Sequence, residues 1–189
     1  MISPFGGILM DAKTLITTRR SIRQFTDAPV SHETIEEIVS LASYAPSWKN
    51  TQISRYTAIE NPEIKKYIAD NLCLGGTNNP SIIMSAPVLI AQSFIKNRSG
   101  FNRDGSYNTD RGEGWQYYDC GIAAQTFCLA AHEKGLGTVI MGVFDRLKLQ
   151  EYLGIPEDQE LMALIALGYP AVDPAAPPRK GTDILLSWK

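Results

Sequence analysis

The chain has 189 residues, 44% of them hydrophobic and 20% charged, with a formal net charge of -2. This is the make-up of one globular domain able to bury a single good core, and the slightly acidic balance argues against a general nucleic-acid binder. No stretch reaches the roughly 18 uninterrupted apolar residues of a membrane-crossing helix. The start, Met1 to Met10, lacks the basic region of a signal peptide.

In chain order, residues 11–18 read as a short helix that leads into Arg19-Arg20-Ser21-Ile22-Arg23. Thr26 to Val30 is extended, because Pro29 disfavours helix at Ala28. Ser31 caps a helix with Ile35, Ile38, Val39 and Ala42 on one face, and that helix stops before Pro46. Arg55 to Glu60 is a strand, and Asn61-Pro62 opens another helix, with Asn61 as cap and Pro62 at the first helical position. Pro87 to Ser93 is a near-continuous apolar run, the pattern of a strand buried on both faces. Lys96 to Gly114 is polar and carries almost no aliphatic residues, which predicts a functional loop or lid, with disorder as the competing reading.

Tyr117 to Lys134 is the strongest helix, apolar on most sides and therefore expected to pack both on its own core and on a second subunit. Gly135 supplies its C-terminal stop. A strand at Gly137–Val143, a short helix at Leu147–Leu153 and a third apolar strand at Leu161–Gly168 follow. The Pro-rich tail from Asp173 to Lys180 cannot form a core and is expected to lie across another surface. Helices first, then strands separated by single helices, indicate an α+β or three-layer domain without the βα alternation of a doubly wound fold.

The chain lacks GxGxxG, Walker A, HExxH and GxSxG sequences, and Gly135-Leu136-Gly137 follows a helix, so it reads as a helix stop. His132-Glu133 suits a cap or surface role. Cys73, Cys120 and Cys128 form no C-x-x-C pair and no metal spacing, which predicts reduced, buried thiols in a cytoplasmic protein and no metal site. Three polar groups remain. The Arg19–Arg23 cluster is either a solvated basic turn or an anion site, since guanidinium groups fit phosphate. Arg179-Lys180, 160 positions after Arg19, either converges with it on one phosphate or is an unrelated surface charge. Ala45-Pro46-Ser47-Trp48-Lys49-Asn50-Thr51-Gln52 is either an ordinary loop or a set of neutral donors and acceptors for the edge of a heteroaromatic ring.

Four blocks, in order, carry a resemblance. Arg19-Arg20-Ser21-Ile22-Arg23-Gln24-Phe25 resembles the R-R-S-x-R-x-F signature of the nitroreductase family of FMN-dependent oxidoreductases. Ala45-Pro46-Ser47 with Asn50 and Gln52 resembles its A-P-S-x-x-N-x-Q motif. Asp119 to Gln125, running into Ala130 to Gly137, is similar to its central helix, and Leu167-Gly168-Tyr169-Pro170 with Arg179 to its closing strand and tail. The resemblance implies one α+β domain over 1–189, a three-layer α/β/α fold with a central, mostly antiparallel sheet and extended termini. Residues 96–114 would be a variable loop or lid and 171–189 a C-terminal extension.

It further implies an intertwined homodimer with FMN at the subunit interface. Electrons would pass from NADH or NADPH through flavin N5 to a small acceptor, a nitroaromatic, quinone or enone, by a ping-pong mechanism. The flavin carries the chemistry, so no protein residue is catalytic. Arg19, Arg20, Ser21 and Arg23 would hold the phosphate and ribityl chain, and Arg179 would close on the phosphate. Pro46, Ser47 and Asn50 would line the flavin from the other subunit, and Met141 and Gly142 would lie against the ring system. Gln125 and Lys180 are further candidates, and Phe101, Tyr107 and Trp115 are candidate walls of the acceptor pocket. The chain departs from the family at Met141-Gly142, where many members carry Glu-Gly or Gly-Gly. The alternative is a non-catalytic flavin-binding or redox-sensing protein.

Overall fold

The computed structural model describes residues 10–189, so the reading of the N-terminal segment lies almost wholly outside the described residues. Helix α1 (Ala12–Thr18) is capped by Asp11, whose carboxylate accepts from the Thr14 N–H at 3.0 Å. Helix α2 (His32–Ala42) starts at Ser31, whose hydroxyl accepts from the Thr34 N–H at 3.2 Å, and α3 (Pro62–Tyr67) starts at Asn61 with proline in its first turn. Both caps lie where the sequence placed them. The remaining helices are α4 (Asn79–Ser85), α5 (Gly114–Glu133), α6 (Arg146–Tyr152) and α7 (Thr182–Leu185).

Strands β1 (Ser54–Ile59), β2 (Val88–Ile95), β3 (Gly137–Met141) and β4 (Gln159–Gly168) form one antiparallel sheet in the order β1-β2-β4-β3. Side chains on the central strands alternate between two cores. Leu89, Ala91, Leu164 and Ala166 face a core closed by Ile68 and Leu72, just beyond α3, with Ile82 and Ile83 of α4 and Leu149 of α6. Val88, Ile90, Ile165 and Leu167 face the other core, closed by Ile35 and Ile38 of α2 and by Ala124, Phe127 and Ala131 of α5. Burial on both faces explains the unbroken apolar runs of β2 and β4, and the result is the expected three-layer α+β arrangement.

Helix α5 runs 20 residues and begins at Gly114, three residues before the expected start. It is buried except along a stripe that includes Tyr118, Gly121 and Gln125. Gly135 follows it at φ +77°, the left-handed stop expected of it. Helix α4 was not anticipated. Its seven residues carry only Ile82 and Ile83 as buried apolar positions, too few for a periodic signal. Residues 96–113 form no regular helix or strand, yet they are internally bonded: Asn102 N–H donates to the Ser106 carbonyl at 2.8 Å, and Asn108 N–H to the Gly100 carbonyl at 2.8 Å. Cys120 and Cys128 are buried free thiols as expected, whereas Cys73 is only half-buried because it lies just past the end of the α3 segment.

Candidate functional site

The segment after α1 runs along the edge of the sheet. Ser21 bridges Thr138 of β3, Ile22 N–H donates to the Thr138 carbonyl at 3.0 Å, and Thr26 N–H donates to the Tyr169 carbonyl at 2.9 Å. Ile22 and Phe25 point into the core, so Ser21 and Arg23 are left on the outer side. Two glycines permit this approach. Gly137 and Gly168 are register partners at the ends of β3 and β4. A Cβ at Gly137 would stand 2.7 Å from the Ile22 Cβ, and one at Gly168 would stand 2.5 Å from the Pro87 Cδ and 3.1 Å from the Phe25 Cδ1.

Arg19, Arg20, Ser21 and Arg23 line a groove of about 250 Å³ together with Pro174, Ala175, Pro177 and Arg179 of the tail. The basic positions 160 residues apart therefore converge. Among the described residues Arg20 donates to the Thr17 and Arg19 carbonyls, Arg23 to the Ser21 carbonyl and Arg179 to the Pro177 carbonyl. Among the described residues no carboxylate lies within ion-pair distance of any of the four guanidinium groups. Four uncompensated cations on one concave surface, with most N–H groups free, fit a dianionic phosphate. Lys180 is exposed beside Arg179. An adjoining cavity of about 180 Å³ is lined by Arg19, Ser21, Gln125, Cys128, Thr138, Val139 and Ile140. Thr138 and Ile140 had no sequence signal of their own. They join the site because they face α5 on the alternation of β3.

Pro46 and Ser47 lie elsewhere, in a groove of about 340 Å³ between α2, β1 and α5, lined also by Gln52, Arg55 and Asp119. Asn50 is exposed. One chain thus separates the Ser47–Asn50 loop from the arginine groove. The loop backbone is unusual: Lys49, Asn50 and Gln52 have φ of +46°, +56° and +48°. Non-glycine residues adopt this region at a cost that surrounding contacts must offset, and such strain gathers at functional loops. The Ser47 hydroxyl accepts from the Gln52 N–H at 3.0 Å, and the Asp119 carboxylate accepts from the Trp48 N–H at 3.0 and 3.2 Å.

Met141 lies on the inward face of β3. Its side chain is 4% exposed and belongs to the core beneath the sheet, because Gly137, Val139 and Met141 share the inward face of β3. Its thioether therefore does not face the surface, and only the main chain at 141–142 is presented. Gly142 is exposed, with nothing within 4 Å of where a Cβ would stand. Of the expected acceptor-pocket walls, Phe101 and Tyr107 pack on each other at 5.1 Å, whereas Trp115 packs on Trp48 at 4.6 Å with the rings tilted by 46°.

Burial pushes the Cys120 thiol up to about 11 and raises those of Cys128 and Cys73, so none is poised as a nucleophile. Among the described residues no group of three or more His, Cys, Asp or Glu could hold a metal, and no helix is long and apolar enough to cross a membrane.

His132 is more than a cap. Its Nε2 lies 2.8 Å from the Thr18 hydroxyl, and it lines a cavity of about 210 Å³ with Arg19, Arg20 and Asp173. Burial first, then Arg19 and Arg20, hold its imidazole below the ordinary value. A depressed folded value means that stability present above the unfolded value near about 6.5 is lost as pH falls through the folded value. Between about pH 7.5 and pH 5.5 the urea midpoint of the wild-type protein should fall relative to that of His132→Gln. His32, raised by its hydrogen bond to Glu60, acts in the opposite sense and is unchanged in the variant. Parallel pH profiles for the two proteins would remove His132 from this role.

Comparison with known proteins agrees with the fold. The sequence pattern described as the nitroreductase family matches residues 16–73 and 75–169. A Methanothermobacter thermautotrophicus protein named as an NADH dehydrogenase/NAD(P)H nitroreductase is 33% identical over 172 residues, covering 87% of this chain and 80% of its own. The FMN reductase [NAD(P)H] of Bacillus subtilis is 30% identical over 173 residues, covering 87% and 68%. A nitroreductase from Desulfovibrio desulfuricans, solved in complex with FMN, superposes with a TM-score of 0.75 at 28% identity, covering 94% of this chain and 96% of that one. The three-layer fold coincides with a family match over most of the chain, and the protein belongs to the nitroreductase family.

Proposed function

We propose that this chain is an FMN-dependent oxidoreductase that passes electrons from NADH or NADPH to a small aromatic or quinone-like acceptor, a nitroaromatic, quinone or enone, by a ping-pong mechanism. The observation that carries the reading is the groove in which Arg19, Arg20, Arg23 and Arg179 converge with no carboxylate partner among the described residues. Bound FMN would supply the two-electron chemistry, accepting hydride and returning electrons to the acceptor.

The protein's part is to bind, orient and exclude water. Arg19, Arg20, Arg23 and Arg179 hold the phosphate as fixed cations, and Ser21 adds a neutral hydroxyl donor toward the ribityl chain. Gln125 presents an amide from the open stripe of α5. The exposed main chain at Gly142 lets a planar ring approach without a side chain in the way. Prearranged N–H groups and cations favour the negative charge that gathers on a reduced ring.

The site is completed by a second copy of the chain. The Pro46–Asn50 loop is remote from the arginine groove of its own chain, and Tyr118, Gly121 and Gln125 leave α5 open. In the homodimer, the partner subunit's Pro46, Ser47 and Asn50 line the ring. The tail carries Ile184, Leu185, Leu186 and Trp188 exposed, the last at 87%, and these apolar groups cover the partner's surface. Three unpaired thiols suit a reducing cytoplasm.

Purified protein should be yellow, or become so with FMN, and should oxidise NADH or NADPH when menadione or nitrofurazone is supplied. Double-reciprocal plots at several acceptor concentrations should be parallel. Protein that stays colourless with FMN ends the proposal, and bound flavin without turnover replaces it with the redox-sensing alternative.

A further inference from the structure

Asp119 is 4% exposed, and among the described residues no cation lies within ion-pair distance of it. A buried carboxylate is costly unless its oxygens are satisfied. Here they are satisfied by two loops at once. The carboxylate accepts from the Trp48 N–H at 3.0 and 3.2 Å, and its Oδ2 accepts from the Ser99 hydroxyl at 2.7 Å. Ser99, itself fully buried, lies at the root of the 96–113 loop. Trp48 opens the left-handed run at Lys49, Asn50 and Gln52.

The same two loops meet a second time. Trp48 packs on Trp115, with ring centroids 4.6 Å apart, and the Trp115 indole donates to Thr109 of the 96–113 loop at 2.9 Å. The buried Trp48 indole N–H has no partner among the described residues. Trp48 is therefore held by its main chain, through Asp119, and by its ring face.

We infer that Asp119 is a positioning residue: one buried carboxylate fixes the Ser47–Gln52 loop and the root of the 96–113 loop to each other, so the two borders of the acceptor pocket form a single rigid unit. The inference rests on the reading of these loops as flavin wall and acceptor-pocket border. It goes beyond that reading by removing the independence of the lid: the 96–113 loop cannot shift at its root without moving the wall.

The test uses FMN-loaded protein and the variants Asp119→Asn, Ser99→Ala and the double variant. Asparagine keeps the size, but its NH2 at the Oδ1 position would set a donor against the Trp48 N–H, and the bonds that its one oxygen still accepts lose their charge assistance. The KM for menadione should rise about tenfold in Asp119→Asn, by more than kcat falls, as loss of a charge-assisted bond implies. Ser99→Ala should show a smaller rise, and the double variant should be no worse than Asp119→Asn, because both changes strike one node. The exciton circular-dichroism couplet of the Trp48–Trp115 pair should weaken in Asp119→Asn and in Ser99→Ala.

An unchanged menadione KM in FMN-loaded Asp119→Asn overturns the proposal, whatever happens to its melting temperature. If Asp119→Asn does not fold, Ser99→Ala decides on the same readouts. If the wild-type protein takes up no FMN, the functional reading fails separately. The couplet of the flavin-free protein then decides the node: loss in Ser99→Ala supports it, and retention overturns it.

Discussion

In Arg19→Ala, FMN binding should weaken by about 10- to 100-fold, the loss expected for one or two charge-assisted hydrogen bonds, while the flavin-free protein melts as before. Arg19 is singled out because its side chain borders the arginine groove and both adjoining cavities. It is half-buried and belongs to neither main core, so its removal leaves the packing intact. Isothermal titration of FMN and of riboflavin separates the cause. Riboflavin lacks the phosphate, so its affinity should hardly change, and the variant should lose much of the preference for FMN. Arg19→Lys should recover only part of the affinity, since an ammonium cannot replace a planar two-pronged donor. Equal FMN affinity in wild type and Arg19→Ala would mean that the cluster is not the phosphate site.

The second large effect is expected at a residue that touches no ligand. Gly137→Ala should destabilise the flavin-free protein by about 1–3 kcal/mol, the range for forcing extra volume into a packed site, and should weaken FMN retention as well. The added Cβ would stand 2.7 Å from the Ile22 Cβ, and Ile22 lies between Ser21 and Arg23. Relief requires the arginine segment to move away from β3. Gly75→Ala is the control, because nothing lies within 4 Å of its added Cβ. Ile22→Ala in the Gly137→Ala background should restore part of the FMN retention, a coupling that a double-mutant cycle measures. If Gly137→Ala behaves as Gly75→Ala does, the close packing of the arginine segment on β3 is not what sets the groove.

The sequence was most legible where a signal was local. Ser31 and Asn61 cap the helices they were expected to cap, since an N-cap needs only neighbouring N–H groups. The apolar runs of β2 and β4 announced two-sided burial. Met141 shows a signal that was present and unused: alternation from Val139, an inward residue, places Met141 inward too. The left-handed turn at Lys49–Gln52 could not be read, because it contains no glycine to mark it. The tie from Asp119 to Trp48 spans 71 positions, and the convergence of Arg19 with Arg179 spans 160. Contacts at such separation are set by the tertiary fold, and only the family resemblance made the second of them expected.

The arginine groove also has an order of assembly. Its floor, residues 19–23, is pinned first by Thr138 of β3 and then, through Gln24 and Thr26, by residues 169–171, and the groove closes only with Pro177 and Arg179. Until then the basic cluster is a bare run of positive charge on an incomplete sheet. A phosphate held by all four arginines would therefore be bound only after residue 179 has been made, and until then the Arg19–Arg23 cluster lacks its distal arginine.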